Sequence, residues 1–435
     1  MRFELGENLE FEAEGAFVRR TVLPSGVRVL TESVPGASSV AISLSLAVGS
    51  RDEHQGTFGS THFLEHLLFR GTEKRTALEI SQLFDSVGGS SNAETGKEAT
   101  SYYARVASNR LPLALDLLMD MYFNATLQPA DFELERGVIL EELAMAADDP
   151  EDVAHEALAL ALLPSHPLGR PIGGTNESIN AVTRDQVWQH YRERYSPQAL
   201  VIAVAGAVDH AEVLKQIGKF LADSGVDSVA DPIARRSAVA ENLLAPEPRN
   251  IISKDIAQAN LLIGTQGLET NHPERYAMGV LNTILGGGMS SRLYQEIRER
   301  RGLAYTTYSF HHPYSDLGQF AIYAGCAPAQ AKEVLGLMES ILFELGDTGP
   351  DAEELQLAHG HIAGGLALRL ESNMAKMNRL VTAELNTGEY LSLGEAVERY
   401  NSVTAHDVRV LAARLSASPK SLVAVGEPLL ADLID

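Results

Sequence analysis

His62, Glu65 and His66 fall within five residues of chain, in the run Gly59-Ser-Thr-His-Phe-Leu-Glu-His-Leu-Leu-Phe-Arg-Gly-Thr72. Residues at i and i+4 lie on one face of a helix, a turn apart. Two imidazoles at 62 and 66 can therefore point into one tetrahedral zinc site. Apolar Phe63, Leu64, Leu67, Leu68 and Phe69 surround the polar trio. They predict a helix and a polar cluster buried enough to need partners, where a merely wet helix face would need none. Glu65 is three residues from His62 and leans towards the same point without having to ligate. A catalytic zinc keeps three protein ligands and leaves a fourth position to water. The metal brings that water's pKa towards neutrality, and a neighbouring carboxylate takes its proton as it attacks a peptide carbonyl. Glu65 is the expected general base, and His-x-x-Glu-His is a known order for this chemistry.

The third ligand must come from elsewhere. The stretch 133–143, ELERGVILEEL, reads as helix and offers several carboxylates. Glu135 and Glu142 are seven apart, close to two turns, and share a face, while Glu141 points about 100° away. If the Glu135 face looks towards the metal, Glu142 is the ligand and Glu135 supports a ligand from behind. Spacing alone leaves Glu141 and Glu142 both open.

The elements that hold these residues are written twice. The alternating stretch Val40 to Val48, the helix with the His pair, the glycines 88 and 89, the strand TSYYARVAS and the amphipathic LPLALDLLMDMY form one series. ANLLIGTQG, ERYAMGVLNTILGGGMSSRL, LGQFAIYAG and AKEVLGLMESIL form a second. Pairing Leu67 with Leu285 gives an offset of 218 and Leu118 with Met338 one of 220, about half of 435 residues. Period-two strands mixed with 3.6-period helices predict an α+β fold: two homologous mixed α/β domains, each a largely antiparallel sheet packed with helices. The expected division is 1–225 for the metal-binding domain, a Pro-containing linker at 226–250, and 251–435 for the second domain. At the 218 offset His62, Glu65 and His66 fall opposite Val280, Thr283 and Ile284, so one zinc per chain is expected.

Composition narrows the partners. The 58 acids and 35 bases give a net charge of -23, which argues against a nucleic-acid surface. It suits a basic partner, and solubility alone explains it as well. A single cysteine, Cys326, precludes an internal disulfide framework. The acidic N-terminus lacks a secretory pattern, and no run is long enough to span a bilayer. The expectation is a cytoplasmic soluble protein with no membrane partner.

These motifs resemble the pitrilysin/insulinase superfamily of zinc peptidases, in its short-subunit branch with mitochondrial processing peptidase and its bacterial relatives. The matching stretches are GSTHFLEHLLFRGT at 59–72, GGSSNAETGKEATSYYARV at 88–106, ERGVILEEL at 135–143 and HPLGRPIGGTNESI at 166–179, with SRLYQEIRERRGLAYTTYS in the second half. The resemblance implies Glu142 as the third ligand and Glu135 as the supporting carboxylate. It implies that Gly89 to Glu94 pair with the substrate backbone, Asn92 and Ala93 nearest the scissile bond. Glu94, where relatives often have an aromatic or small residue, is expected to favour a basic residue near the cleavage point.

The resemblance further implies that Arg298 and Tyr305 grip substrate and donate to the developing oxyanion. Left to themselves they read as a surface arginine in a basic run and a core tyrosine. By resemblance the chain is a self-sufficient homodimer, closing as a clamshell in which Arg298 and Tyr305 complete the partner's site. The expected activity is a zinc endopeptidase acting on oligopeptides or unfolded, presequence-like segments. Two competing readings are a silent structural subunit, which the retained ligands disfavour, and a peptide-binding module, which has no use for Glu65. Gly286 to Gly288 lack the lysine and spacing of a phosphate-binding loop and read as a turn after a helix, for which the resemblance implies a hinge or a substrate-lining loop.

Overall fold

The computed structural model describes residues 1–226, 228–237, 246, 249–427 and 430. Among them no helix is long and apolar enough to cross a membrane. The first sheet contains β1 (Leu9–Ala13), β2 (Ala16–Val22), β3 (Arg28–Ser33), β4 (Ser39–Leu46), β5 (Ser90–Thr95), β6 (Thr100–Ala107) and β7 (Leu200–Gly206), in the order β1-β2-β3-β7-β4-β6-β5. The second contains β8 (Arg249–Ser253), β9 (Ala259–Gly267), β10 (Ala304–Pro313), β11 (Gly318–Cys326) and β12 (Ser421–Gly426), in the order β10-β11-β9-β12-β8. Five strands correspond one for one: β3-β7-β4-β6-β5 in the first sheet and β8-β12-β9-β11-β10 in the second. In both, the single parallel pair is at the same place, β3 with β7 and β8 with β12, and the other neighbours are antiparallel. The duplication seen as an offset of half the chain is thus a repeated topology, and the α+β expectation holds.

Strand β4 shows how the sequence sets its burial. Val40, Ile42, Leu44 and Leu46 enter the main core of the first unit, while Ala41 faces a smaller one on the other side. On that second face the hydroxyls of Ser43 and Ser45 lie 2.8 Å apart, and that of Ser45 lies 2.8 Å from Ser101. Both faces are covered, so both sets of alternate residues are buried.

The two compact units do not follow the chain order expected from sequence. One is Met1–Leu143, Pro171–Arg236 and Leu368–Ser392; the other is Ala144–Arg170, Ser237–Ala367 and Leu393–Asp435. Each unit takes a helical segment from the opposite half. Helix Pro150–Leu162 buries Ala154, Leu158 and Leu162 against Leu262, Val423 and Val425 of the second sheet. It comes so close that a Cβ on Gly264 would lie 2.9 Å from the Leu158 side chain. Glu151 also accepts a hydrogen bond from the Tyr308 hydroxyl of β10 at 2.5 Å.

Helix Asn373–Thr382, its counterpart in the repeat, buries Met377 and Leu380 against Leu30, Ala41, Val201 and Ala203 of the first sheet. Just beyond it, Glu384, fully buried, accepts from Arg20 at 2.6 and 2.9 Å. The pairing supplies the compensating charge that such burial demands. Apolar periodicity shows that these helices need a partner; it does not say which sheet.

Of the expected linker 226–250, residues 227, 238–245, 247 and 248 lie outside the described residues. Residues 228–236 belong to the first unit, where Arg235 donates to the Glu384 carbonyl at 2.7 Å. Strand β8 already begins at Arg249.

Candidate metal centre

Helix Ser60–Leu67 buries Phe63, Leu64 and Leu67 completely and leaves His62, Glu65 and His66 partly exposed. The polar trio therefore lines a partly exposed face, and His66 has the partner that a polar cluster among apolar neighbours needs. Gly59 starts the helix at φ +91°, and a Cβ there would fall 2.4 Å from Ile179. The first amides are satisfied by a remote acid: Glu53, 5% exposed, accepts from Gly59 N at 2.8 Å and Thr61 N at 2.7 Å. An anion at the start of a helix also matches its dipole.

Phe63 stacks on Phe132, ring centres 4.5 Å apart and planes 14° from parallel, which seats helix Pro129–Asp148 beside the metal helix. The Arg136 guanidinium covers Phe132 at 4.8 Å and donates to the Val182 carbonyl at 3.0 Å. From that anchor, one turn brings Glu135 behind His66 and two more bring Glu142 to the front.

Of the two neighbouring carboxylates, Glu142 is the one that lies against the histidines. Glu142 Oε2 lies 3.6 Å from His62 Nε2 and 3.4 Å from His66 Nε2. His62, His66 and Glu142 present donor atoms all within 4.8 Å of one another, the one such group of three among the described residues. Ligands about 2.0–2.1 Å from a tetrahedral zinc lie roughly 3.4 Å apart, which the separations of Glu142 from the two histidines match. The imidazole planes cross at 82° and so converge edge to face. His66 Nδ1 is 2.7 Å from Glu135 Oε2, which leaves Nε2 free to ligate. Nδ1 of His62 is buried without a hydrogen-bond partner, and Gly173 is the glycine beside it, where a Cβ would come to 3.6 Å.

Burial, and then the neighbouring His66, holds His62 below the usual imidazole range. Burial acts on His66 as well, but its hydrogen bond to Glu135 and the charge of Glu142 outweigh it and raise its pKa. Burial likewise opposes ionisation of Glu135, yet the His66 hydrogen bond and Arg70 hold its pKa below the ordinary value. Glu65 shares the exposed face, and its charge adds to the burial that raises the pKa values of Tyr102 and Tyr195, whose hydroxyls are 3.0 Å apart.

Strand β5 is an edge of the first sheet and packs beside the metal helix. Gly89 precedes it; Asn92 and Glu94 are exposed, and Ala93, 7% exposed, stands opposite Tyr102 of β6. An edge strand offers unpaired amides and carbonyls to an extended peptide.

Arg298 and Tyr305 belong to the second unit, not to the one that carries the metal ligands, and there they meet. The Arg298 guanidinium lies 4.7 Å from the Tyr305 ring centre and 4.8 Å from that of Tyr294. Its neighbours Arg300 and Arg301 both pair with Glu296. Tyr305 is 73% exposed because the β10–β11 register slips between Ala304 and Thr306. Bulges of this kind re-aim a side chain and cluster near functional sites. The tyrosine is therefore not a core residue.

Three supporting residues were not singled out from sequence. Arg70 contacts Glu135, Glu53 caps the metal helix, and Gly173 lies against His62. Arg70 had one local signal, a cation one helical turn past His66; Glu53 acts through a loop that folds back on residues 59 and 61, and Gly173 through a contact distant in sequence.

Residues 28–176 match the family model described as insulinase, peptidase family M16, and residues 181–359 that described as the peptidase M16 inactive domain. An "uncharacterized zinc protease" of Streptomyces coelicolor is 44% identical over 94% of this chain and 89% of its own length. One of Bacillus subtilis is 36% identical over 94% and 98%. A peptidase M16 inactive domain from Pseudomonas fluorescens superposes with a TM-score of 0.85 at 22% identity, covering 94% of this chain and 98% of that one. A protease from Helicobacter pylori gives 0.83 at 20% identity, covering 98% and 100%.

Proposed function

The chain belongs to the insulinase family of zinc peptidases, family M16, and on that premise we propose that it is a zinc-dependent endopeptidase of oligopeptides and unfolded segments. The observation that carries this reading is the convergence of His62, His66 and Glu142, backed by Glu135. One zinc per chain would be held by those three residues and would supply Lewis acidity, polarising a peptide carbonyl and lowering the pKa of an attacking water.

The chain's own residues supply the rest. Glu65, on the same face as the histidines, takes the proton of the attacking water and passes it to the leaving amine. Glu135 keeps the His66 ring turned towards the metal. The substrate backbone adds to the free edge of β5, where Gly89, Asn92, Ala93 and Glu94 set its register. Glu94, exposed on that edge, favours a basic residue near the cleavage point, in keeping with the net charge of -23. Arg298 holds the substrate and Tyr305 donates to the oxyanion, each acting on the site of a partner subunit in a clamshell homodimer.

Hydrolysis of a quenched fluorescent basic peptide, measured with zinc content for wild type and Glu65→Gln, tests the proposal. Stoichiometric zinc in both with cleavage by the wild type alone supports it. Zinc in both and cleavage by neither favours a peptide-binding role. No zinc in either, even after zinc is supplied, refutes it.

A further inference from the structure

His66 turns Nε2 towards Glu142 and Nδ1 towards Glu135, whose Oε2 lies 2.7 Å away. The other oxygen of Glu135, Oε1, is met by the Arg70 guanidinium. The Glu135 side chain is only 2% exposed, while that of Arg70 is 35% exposed and reaches inward from the turn that ends the metal helix. That turn is tight: Gly71 sits at φ +140°, and a Cβ on it would lie 3.2 Å from the Arg75 carbonyl.

An ordinary surface ion pair contributes little, because water solvates both partners as well as they solvate each other. This pair differs, since its acid is out of water and is bonded to a ligand. A carboxylate so placed needs a compensating cation to stay charged. An imidazole that ligates a metal is neutral. With the metal bound, His66 gives Glu135 a hydrogen bond and no charge, so the cation in contact with this carboxylate is Arg70.

We propose that Arg70 is a positioning residue of the metal centre: by pairing with Glu135 Oε1 it fixes the carboxylate that orients His66, and so sets the affinity for zinc. The inference rests on the zinc reading given above. It makes Arg70 the outermost member of a series running from Arg70 through Glu135 to His66, in which only His66 touches the metal.

Zinc affinity, measured on the full chain by competition with a fluorescent chelator, tests this for wild type, R70M, R70K, E135Q and R70M/E135Q. R70M should bind zinc about 10- to 100-fold more weakly, the range seen when a group behind a metal ligand is lost. R70K, which keeps the charge and loses the planar fork, should fall between R70M and wild type. The double variant should be no weaker than E135Q, because Arg70 acts through Glu135. R70M within about twofold of wild type, or losses that multiply in the double variant, overturn the assignment while leaving the zinc site intact. A wild type that binds no zinc overturns both. If R70M does not fold by circular dichroism, R70K and R70Q carry the same comparison.

Discussion

The carboxylate of Glu142 stands 3.4 Å from Nε2 of His66 and completes a set of three donors that no single helix could supply. Glu141, its neighbour in sequence, is exposed and takes no part in that set. Glu142→Ala should lower zinc affinity by more than about 100-fold, beyond the loss typical of a supporting group, and abolish peptide cleavage. Glu141→Ala should leave zinc affinity within about threefold of wild type. Chelator competition on the two variants checks the assignment, and equal losses would contradict it.

Glu53 links a loop to the start of the metal helix through two charge-assisted hydrogen bonds, to the amides of Gly59 and Thr61. Removing a buried acceptor of two amides costs about 2–4 kcal/mol. Glu53→Ala should shift the urea unfolding curve by that amount, and Glu53→Gln by less. The same variant should weaken zinc binding, since His62 follows Thr61 directly.

For Arg298 and Tyr305 the expected signature is separation of chemistry from metal binding. Tyr305→Phe should reduce kcat by about 100-fold with zinc content unchanged, as for loss of one oxyanion donor. Arg298→Met should act chiefly on KM. A Tyr305→Phe enzyme with wild-type kcat would return that residue to an exposed strand tyrosine.

Two histidines, His190 buried and His311 half-buried, make stability pH-dependent. Burial, and then the charge of Arg194, pushes His190 down to about 4; burial, aided by the charge of His312 against a hydrogen bond with Leu268, pushes His311 down to about 4. In the unfolded chain each titrates near 6.5. Between these values the unfolded state binds more protons, so the stability is fully present above about 6.5 and is lost as pH falls towards 4. Each histidine accounts for up to about 3 kcal/mol of that loss. Urea midpoints from pH 7 to 4.5 should fall, and His311→Gln should flatten the slope. The His311 ring accepts from Leu268 N at 3.0 Å, a bond glutamine can replace.

Much of this could be seen in the residues themselves. The i, i+4 histidines share a face because helix geometry requires it, and the half-chain offset is the strand order β3-β7-β4-β6-β5 repeated as β8-β12-β9-β11-β10. The choice of Glu142 over Glu141 could not come from spacing, because it depends on where Phe132 docks against Phe63. The bulge that exposes Tyr305 arises from a slip in strand register, which depends on β11 as much as on β10. Arg70 lies inside the motif stretch 59–72 and Glu53 just before it, yet their roles exist only through contacts made in the folded chain.

The segment that covers the second face of the first sheet, Asn373–Thr382, is synthesised long after the last strand of that sheet, β7, ends at Gly206. At ~5–20 residues per second, the ribosome needs on the order of ten seconds or more to bridge that gap. Throughout it, Leu30, Ala41, Val201 and Ala203 lack the part of their packing that Met377 and Leu380 supply. His62, His66 and Glu142 are translated early, yet the scaffold beneath them is finished only once Asn373–Thr382 has been made. Until that helix emerges, a nascent or truncated chain carries a first sheet whose second face is incompletely covered.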